Sequence, residues 1–185
     1  MKLIVLTAPS GAGKTTIARR VMDEVPGLRF STSATTRTPR EGEQHGVEYF
    51  FLTEAEFQAR IEADAFVEYE EVYPGRYYGT LRDELERLAE STAVVLDVDV
   101  KGALNVKRLY GDKALTLFIA PPSLDALADR LHARGTETEE RIAVRLSRAT
   151  LELDFAHDFD AVIVNDDLET AVAETVARVQ AFLRG

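Results

Sequence analysis

Residues 8–15 read Ala8-Pro-Ser-Gly11-Ala-Gly13-Lys14-Thr15. The spacing is that of a phosphate loop, G-x-x-x-x-G-K-[ST], with Ala8 in place of the first glycine. Each residue type has a use there. Gly11 and Gly13 let the backbone curl so that successive N–H groups point inward. Ala8, Pro9, Ser10 and Ala12 complete the turn, and a helix opening behind them adds its positive N-terminal end. Lys14 brings a point charge to β- and γ-phosphate oxygens, and Thr15, with Thr16 beside it, offers a hydroxyl to Mg²⁺. A glycine-rich turn with a surface lysine has the same composition. It is set apart by an apolar strand before it and a helix after it. The Ala8 departure touches the entry turn and leaves the inward-facing amides alone.

Two further sets of residues suit phosphate chemistry. Asp97 ends the apolar run Ala93–Asp97, where a carboxylate near Mg²⁺ is expected. Asp99 follows on the same face of the strand, and one of the two could simply cap the next helix. In Thr35-Thr36-Arg37-Thr38-Pro39-Arg40 two guanidiniums lie three residues apart beside hydroxyls, followed by Tyr49 and by Tyr77-Tyr78-Gly79-Thr80. Paired guanidiniums and phenols suit a dianionic phosphate, because each guanidinium donates two parallel hydrogen bonds.

These groups need a scaffold. Lys2–Thr7, Ala93–Asp97, Leu115–Ile119 and Ala161–Val164 are short apolar runs that read as buried parallel strands. Helical patterns lie between them, at about 14–24, 102–110, 123–133, 138–155 and 168–183. This alternation predicts an α/β fold with a parallel sheet core flanked by helices. Residues 32–86 break the rhythm: 48–52 and 66–69 read as strands, and Thr53-Glu-Ala-Glu56 is a capping box opening a helix to about Asp64. The block reads as a mixed α+β insertion.

Composition bounds the partners. The chain has 185 residues and a net charge of −10, which suits one domain and argues against nucleic acid, since backbone binding needs a basic surface. Residues 1–31 hold five basic against two acidic residues, whereas 32–86 hold five against thirteen. Cysteine is absent, which excludes disulfides and thiol chemistry. With no long apolar run and no leader pattern, the expectation is a cytoplasmic protein without a membrane partner.

Beyond the loop, Ser31 to Glu43, Gly46 to Phe51, Phe66-Val-Glu68-Tyr, Tyr78-Gly79-Thr80, Leu96 to Gly102, Arg134 to Glu140 and Val164-Asn165-Asp166-Asp167-Leu168 together resemble guanylate kinase, in order along the chain. The resemblance implies transfer of the γ-phosphoryl of ATP to GMP with Mg²⁺. It also implies a phosphate-loop core (1–31, 87–122 and 146–185), a GMP-binding insertion (32–86) and a helical lid (123–145). Glu68 resembles the residue that reads the guanine N1–H and 2-amino donors, with Ser33, Thr80 and Asp99 on the rest of the base. Arg37, Arg40, Tyr49 and Tyr78 would hold the GMP phosphate. Lys14, Arg37, Arg130, Arg134 and Arg145 would stabilise the transferring phosphoryl, and Asn165 resembles an adenine-side contact. Thr15 and Asp97 would serve Mg²⁺, and Arg141 and Arg148 are expected to face solvent. A catalytically inactive guanylate-kinase-like binding module is the alternative. The intact loop argues against it, and Glu68, Ser33 and Thr80 argue against a non-guanine acceptor.

Overall fold

The computed structural model describes residues 1–133, 135 and 138–185. The first apolar run forms β1 (Lys2–Thr7), and α1 (Lys14–Glu24) follows the glycine-rich turn. With β2 (Leu28–Phe30), β7 (Ala93–Asp97), β8 (Ala114–Ala120) and β9 (Ala161–Val164), β1 builds an all-parallel sheet in the order β2-β7-β1-β8-β9. The expected strands are present. The short edge strand β2 is an addition, because its Arg29 and Phe30 are exposed and leave no apolar run to read.

Alternation along β1 sorts its side chains into two cores. Ile4 and Leu6 pack with α1 and with α7 (Leu168–Arg184) through Ile17, Val21, Val172 and Val179. Leu3 and Val5 pack the other way, with α3 (Arg82–Arg87) and α4 (Val100–Tyr110) through Leu85, Ala103 and Val106. Both faces of the sheet are therefore covered, as a parallel sheet requires.

The middle block forms a second sheet. Its strands are β3 (Ala34–Thr35), β4 (Phe50–Phe51), β5 (Phe66–Tyr73) and β6 (Arg76–Leu81), in the order β4-β3-β6-β5. One face packs on α2 (Glu54–Glu62) through Phe57, Phe66, Leu81 and Ala34. The capping box is formed: Glu56 N–H donates to Thr53 Oγ1 at 3.2 Å, and Thr53 N–H donates to Glu56 Oε2 at 2.7 Å. The expected 48–52 strand shrinks to β4, because Gly46 takes a left-handed φ of 83° and its N–H bonds Tyr49 O, curling the chain before Phe50. The strand expected at 66–69 runs on to Tyr73 and turns at Pro74–Gly75 into β6.

Helices α5 (Leu124–Ala133) and α6 (Glu139–Leu153) form a hairpin with its own small core of Leu127, Leu131, Ile142 and Ala149. Helix α6 passes through residue 145 without interruption.

Candidate active site

A cavity of about 420 Å³ lies between the two sheets. The phosphate loop and Asp97 line one end, and Ser33 and Glu68 the other. The loop follows β1 at the carboxyl edge of the parallel sheet, where such sheets bind ligands. Register places Leu6 beside Asp97, so the end of β7 lies next to the loop.

The loop is shaped by its glycines. Gly11 and Gly13 have φ of 102° and 100°, left-handed values that other residues rarely adopt. Asp99 and Asp167 accept from first-turn N–H groups of α4 and α7, at 2.8 and 2.9 Å. Helix α1 instead starts after Gly13, and its first turn has no side-chain cap among the described residues. Those N–H groups remain for an anion. The Lys14 ammonium ion-pairs with Asp97 Oδ1. Ala8, Pro9, Ser10, Thr15 and Thr16 line the cavity beside them.

Glu68 projects from β5 and is only 7% exposed. The Thr80 hydroxyl, opposite it on β6, donates to Glu68 Oε1 at 2.6 Å. Burial pushes the Glu68 carboxyl up to about 7, with Asp99 and Glu70 adding to the rise and the Thr80 bond opposing it. Helix α4 approaches closely at Gly102: a Cβ there would collide with Glu68 Oε2 and sit 3.2 Å from Asp99 Oδ1. Asp99 both caps α4 and lines the cavity. Ser33 is buried at the same end, whereas Thr80 acts on Glu68 from behind.

Arg40, Tyr49 and Tyr78 line the space between the two ends. Tyr49 and Tyr78 meet edge to face at 5.9 Å, and burial pushes the Tyr49 phenol up to about 12. Arg37 lies behind them, its guanidinium 5.3 Å from the Tyr49 ring centre. It bonds both oxygens of Glu43, at 2.8 and 2.9 Å, and this pairing holds the Glu43 carboxyl down at about 2. Glu43 also accepts from Arg40 N–H at 2.7 Å, tying the two arginine positions together. Glu43 was not singled out from the sequence; its spacings of six and three from Arg37 and Arg40 were the available signal.

Among the arginines of the α5–α6 hairpin, Arg145 reaches the loop and donates to Ser10 Oγ. Arg130 donates to Asn165 O at 2.8 Å. Arg134 lies outside the described residues. Arg141 is exposed as expected, but Arg148 is not. Arg148 lines the cavity, donates to Glu152 Oε1 at 2.8 Å and to Val72 O at 2.9 Å, and lies 3.8 Å from Asp99 Oδ2. Charge balance within the hairpin suggested a solvated residue; the acceptors that bury it come from β5 and the β7–α4 turn.

The family model described as guanylate kinase matches residues 1–182. The guanylate kinase of Salinibacter ruber is 60% identical over 181 residues, covering 98% of this chain and 96% of that protein. That of Bacteroides thetaiotaomicron is 52% identical over 183 residues, covering 98% and 90%. Among solved structures, the guanylate kinase of Anaplasma phagocytophilum superposes with a TM-score of 0.75 at 29% identity, covering 99% of this chain and 84% of the other.

Proposed function

The chain belongs to the guanylate kinase family and catalyses that family's reaction, ATP + GMP → ADP + GDP, and from that premise we propose which of its groups do what. One observation carries the assignment. A single cavity has a phosphate loop with its lysine at one end and a buried carboxylate from the second sheet at the other. ATP phosphates lie on the loop, held by inward N–H groups and Lys14. Guanine lies against Glu68, which accepts from the adjacent N1–H and 2-amino donors. Adenine has no N1–H donor and would leave that carboxylate facing a lone pair, a mismatch that buried sites punish heavily.

The GMP phosphate then falls between the two ends, beside Arg40, Tyr49 and Tyr78, with Arg37 behind. Its oxygen attacks the γ-phosphorus and the bond to the β-phosphate oxygen breaks, so no protein nucleophile takes part. Charge spreads over the moving phosphoryl group, and Lys14, Arg37, Arg130, Arg134 and Arg145 answer it. Thr15 and Asp97 would hold Mg²⁺. Both line the cavity beside the loop, and this ion takes few protein oxygens because phosphates and water fill the rest of its shell. Bound there it supplies charge neutralisation at the phosphates. The place of action is the cytoplasm, with no nucleic acid partner; among the described residues no helix is long and apolar enough to cross a membrane.

The test is ADP formation from ATP and Mg²⁺ with GMP, AMP, CMP or UMP as acceptor. GMP is expected to be strongly preferred, and Glu68→Gln to lower kcat/KM for GMP by about a hundredfold with little change in KM for ATP. Equal turnover of AMP and GMP by the unmodified chain, or undiminished selectivity in Glu68→Gln, would overturn the base-reading assignment.

A further inference from the structure

Asn165 follows β9 and is 5% exposed. It is held from three sides: its N–H donates to Ala120 O at 2.8 Å, its carbonyl accepts from Arg130 at 2.8 Å, and its side-chain Nδ2 donates to Ala12 O at 2.7 Å. Only the amide nitrogen can face a carbonyl oxygen, so the last contact fixes the orientation of the side chain. Ala12 belongs to the phosphate loop and is itself fully buried. Gly13, the next residue, lines the cavity.

We propose that Asn165 is a positioning residue for the phosphate loop: its side-chain amide, by holding Ala12 O, aims the Gly13 N–H at the phosphates of the bound nucleotide. In a trans peptide the carbonyl and the N–H of one unit point in opposite directions. Anchoring Ala12 O on the Asn165 side therefore turns the Gly13 N–H to the other side, where the cavity lies. The same contact explains Gly13 beyond its φ of 100°, since a Cβ on Gly13 would collide with Asn165 Nδ2. Glycine and asparagine are thus a matched pair, and neither is replaceable alone. Arg130 on α5 clamps the backbone of the same asparagine, so the lid helix and the loop share one anchor.

The inference rests on the reading of residues 8–15 as the ATP phosphate site, and it differs from a role for the Asn165 side chain in reading adenine. Inorganic tripolyphosphate separates the two, because it carries the phosphates and no base. Its affinity is measured by calorimetry for the unmodified chain, Asn165→Ala and the nearly isosteric, uncharged Asn165→Leu, which also removes the donor. KM values for ATP and GTP as phosphoryl donors, and for GMP, are measured alongside. Both variants are expected to lose tripolyphosphate and ATP affinity by the same factor, about tenfold. The ratio of ATP to GTP as donor and the KM for GMP should stay as they were. The unchanged GMP value also shows that the variants are folded, and Asn165→Leu carries the test if Asn165→Ala fails to fold. Loss of ATP affinity or of donor preference with tripolyphosphate binding intact would overturn the proposal in favour of a base contact, and unchanged affinity for both would overturn it outright. Failure of the unmodified chain to bind tripolyphosphate would remove the phosphate-loop reading itself, and the proposal with it.

Discussion

The two ends of the cavity are built in opposite ways. At the phosphate loop the binding groups are main-chain N–H groups, presented by a contiguous stretch whose glycines adopt left-handed φ values. At the proposed guanine end they are side chains from the residue before β3 (Ser33), from β5 and β6, and from the N-cap of α4 (Asp99), brought together by strand register and by the approach of α4 to β5. A backbone cradle takes any polyphosphate and needs a cation for strength, whereas a side-chain frame can match one pattern of donors and acceptors. The difference predicts that damage at the loop removes chemistry, and damage at the sheet removes choice of substrate.

The largest effect belongs to the loop. Lys14→Ala deletes the cation paired with Asp97 at the mouth of α1. The expected loss in kcat is about a thousandfold, close to 4 kcal/mol of transition-state stabilisation. GMP affinity and melting temperature should change little, because the helix, its core face and the second sheet are untouched. Steady-state kinetics and GMP titration of one preparation measure both. A variant that kept its kcat and lost GMP affinity would reverse the comparison.

A smaller effect belongs to the sheet. Gly102 has an ordinary φ, so its value is space alone. Gly102→Ala would place a methyl against Glu68 Oε2, 3.1 Å from Glu68 Cδ and 3.2 Å from Asp99 Oδ1. Overpacking of this kind costs about 2 kcal/mol, or about thirtyfold in kcat/KM for GMP. The KM for ATP should stay constant. Discrimination between GMP and IMP, which lacks the 2-amino group, should shrink if the Glu68 carboxylate is pushed off line. An unchanged ratio of the two acceptors would show that α4 does not set the guanine frame.

The same contrast decides what could be read before the fold was known. The loop is one continuous pattern, so Gly11, Gly13, Lys14 and Thr15 are legible from spacing alone. The strands of the parallel sheet are legible because both faces are buried and each run is apolar. The guanine end is not: Glu68 stands among Glu70 and Glu71 on a strand with exposed positions, and only the resemblance picks it out. Glu43, Gly102 and Arg148 were missed for a related reason. Their partners are Arg37 and Arg40 across a tight turn, Glu68 across two elements, and Val72 with Asp99 across the cavity. Small strands such as β2 and β3 escaped because two or three residues carry no period.

The smallest effect is set by protons at the guanine end. Burial, reinforced by the Asp99 and Glu70 carboxylates, pushes Glu68 from an ordinary value of 4.5 up to about 7. A raised carboxyl binds its proton more tightly in the folded chain than in the unfolded one. Its contribution to stability is therefore greatest below about pH 4.5 and is lost as the pH rises through 7. Guanine recognition runs the other way, because two N–H donors need an ionised acceptor. Between pH 8 and pH 6 the ionised fraction of such a group falls about tenfold, so the KM for GMP should rise by about that factor while the KM for ATP moves little. The GMP phosphate also titrates near pH 6, and Glu68→Gln isolates that contribution. If the residual GMP affinity of Glu68→Gln followed the same pH profile as the unmodified chain, the titration would belong to the substrate and not to Glu68. A shallower profile in the variant, keeping only the part owed to the GMP phosphate, with a steeper one in the unmodified chain, would locate the difference on the buried Glu68 carboxylate.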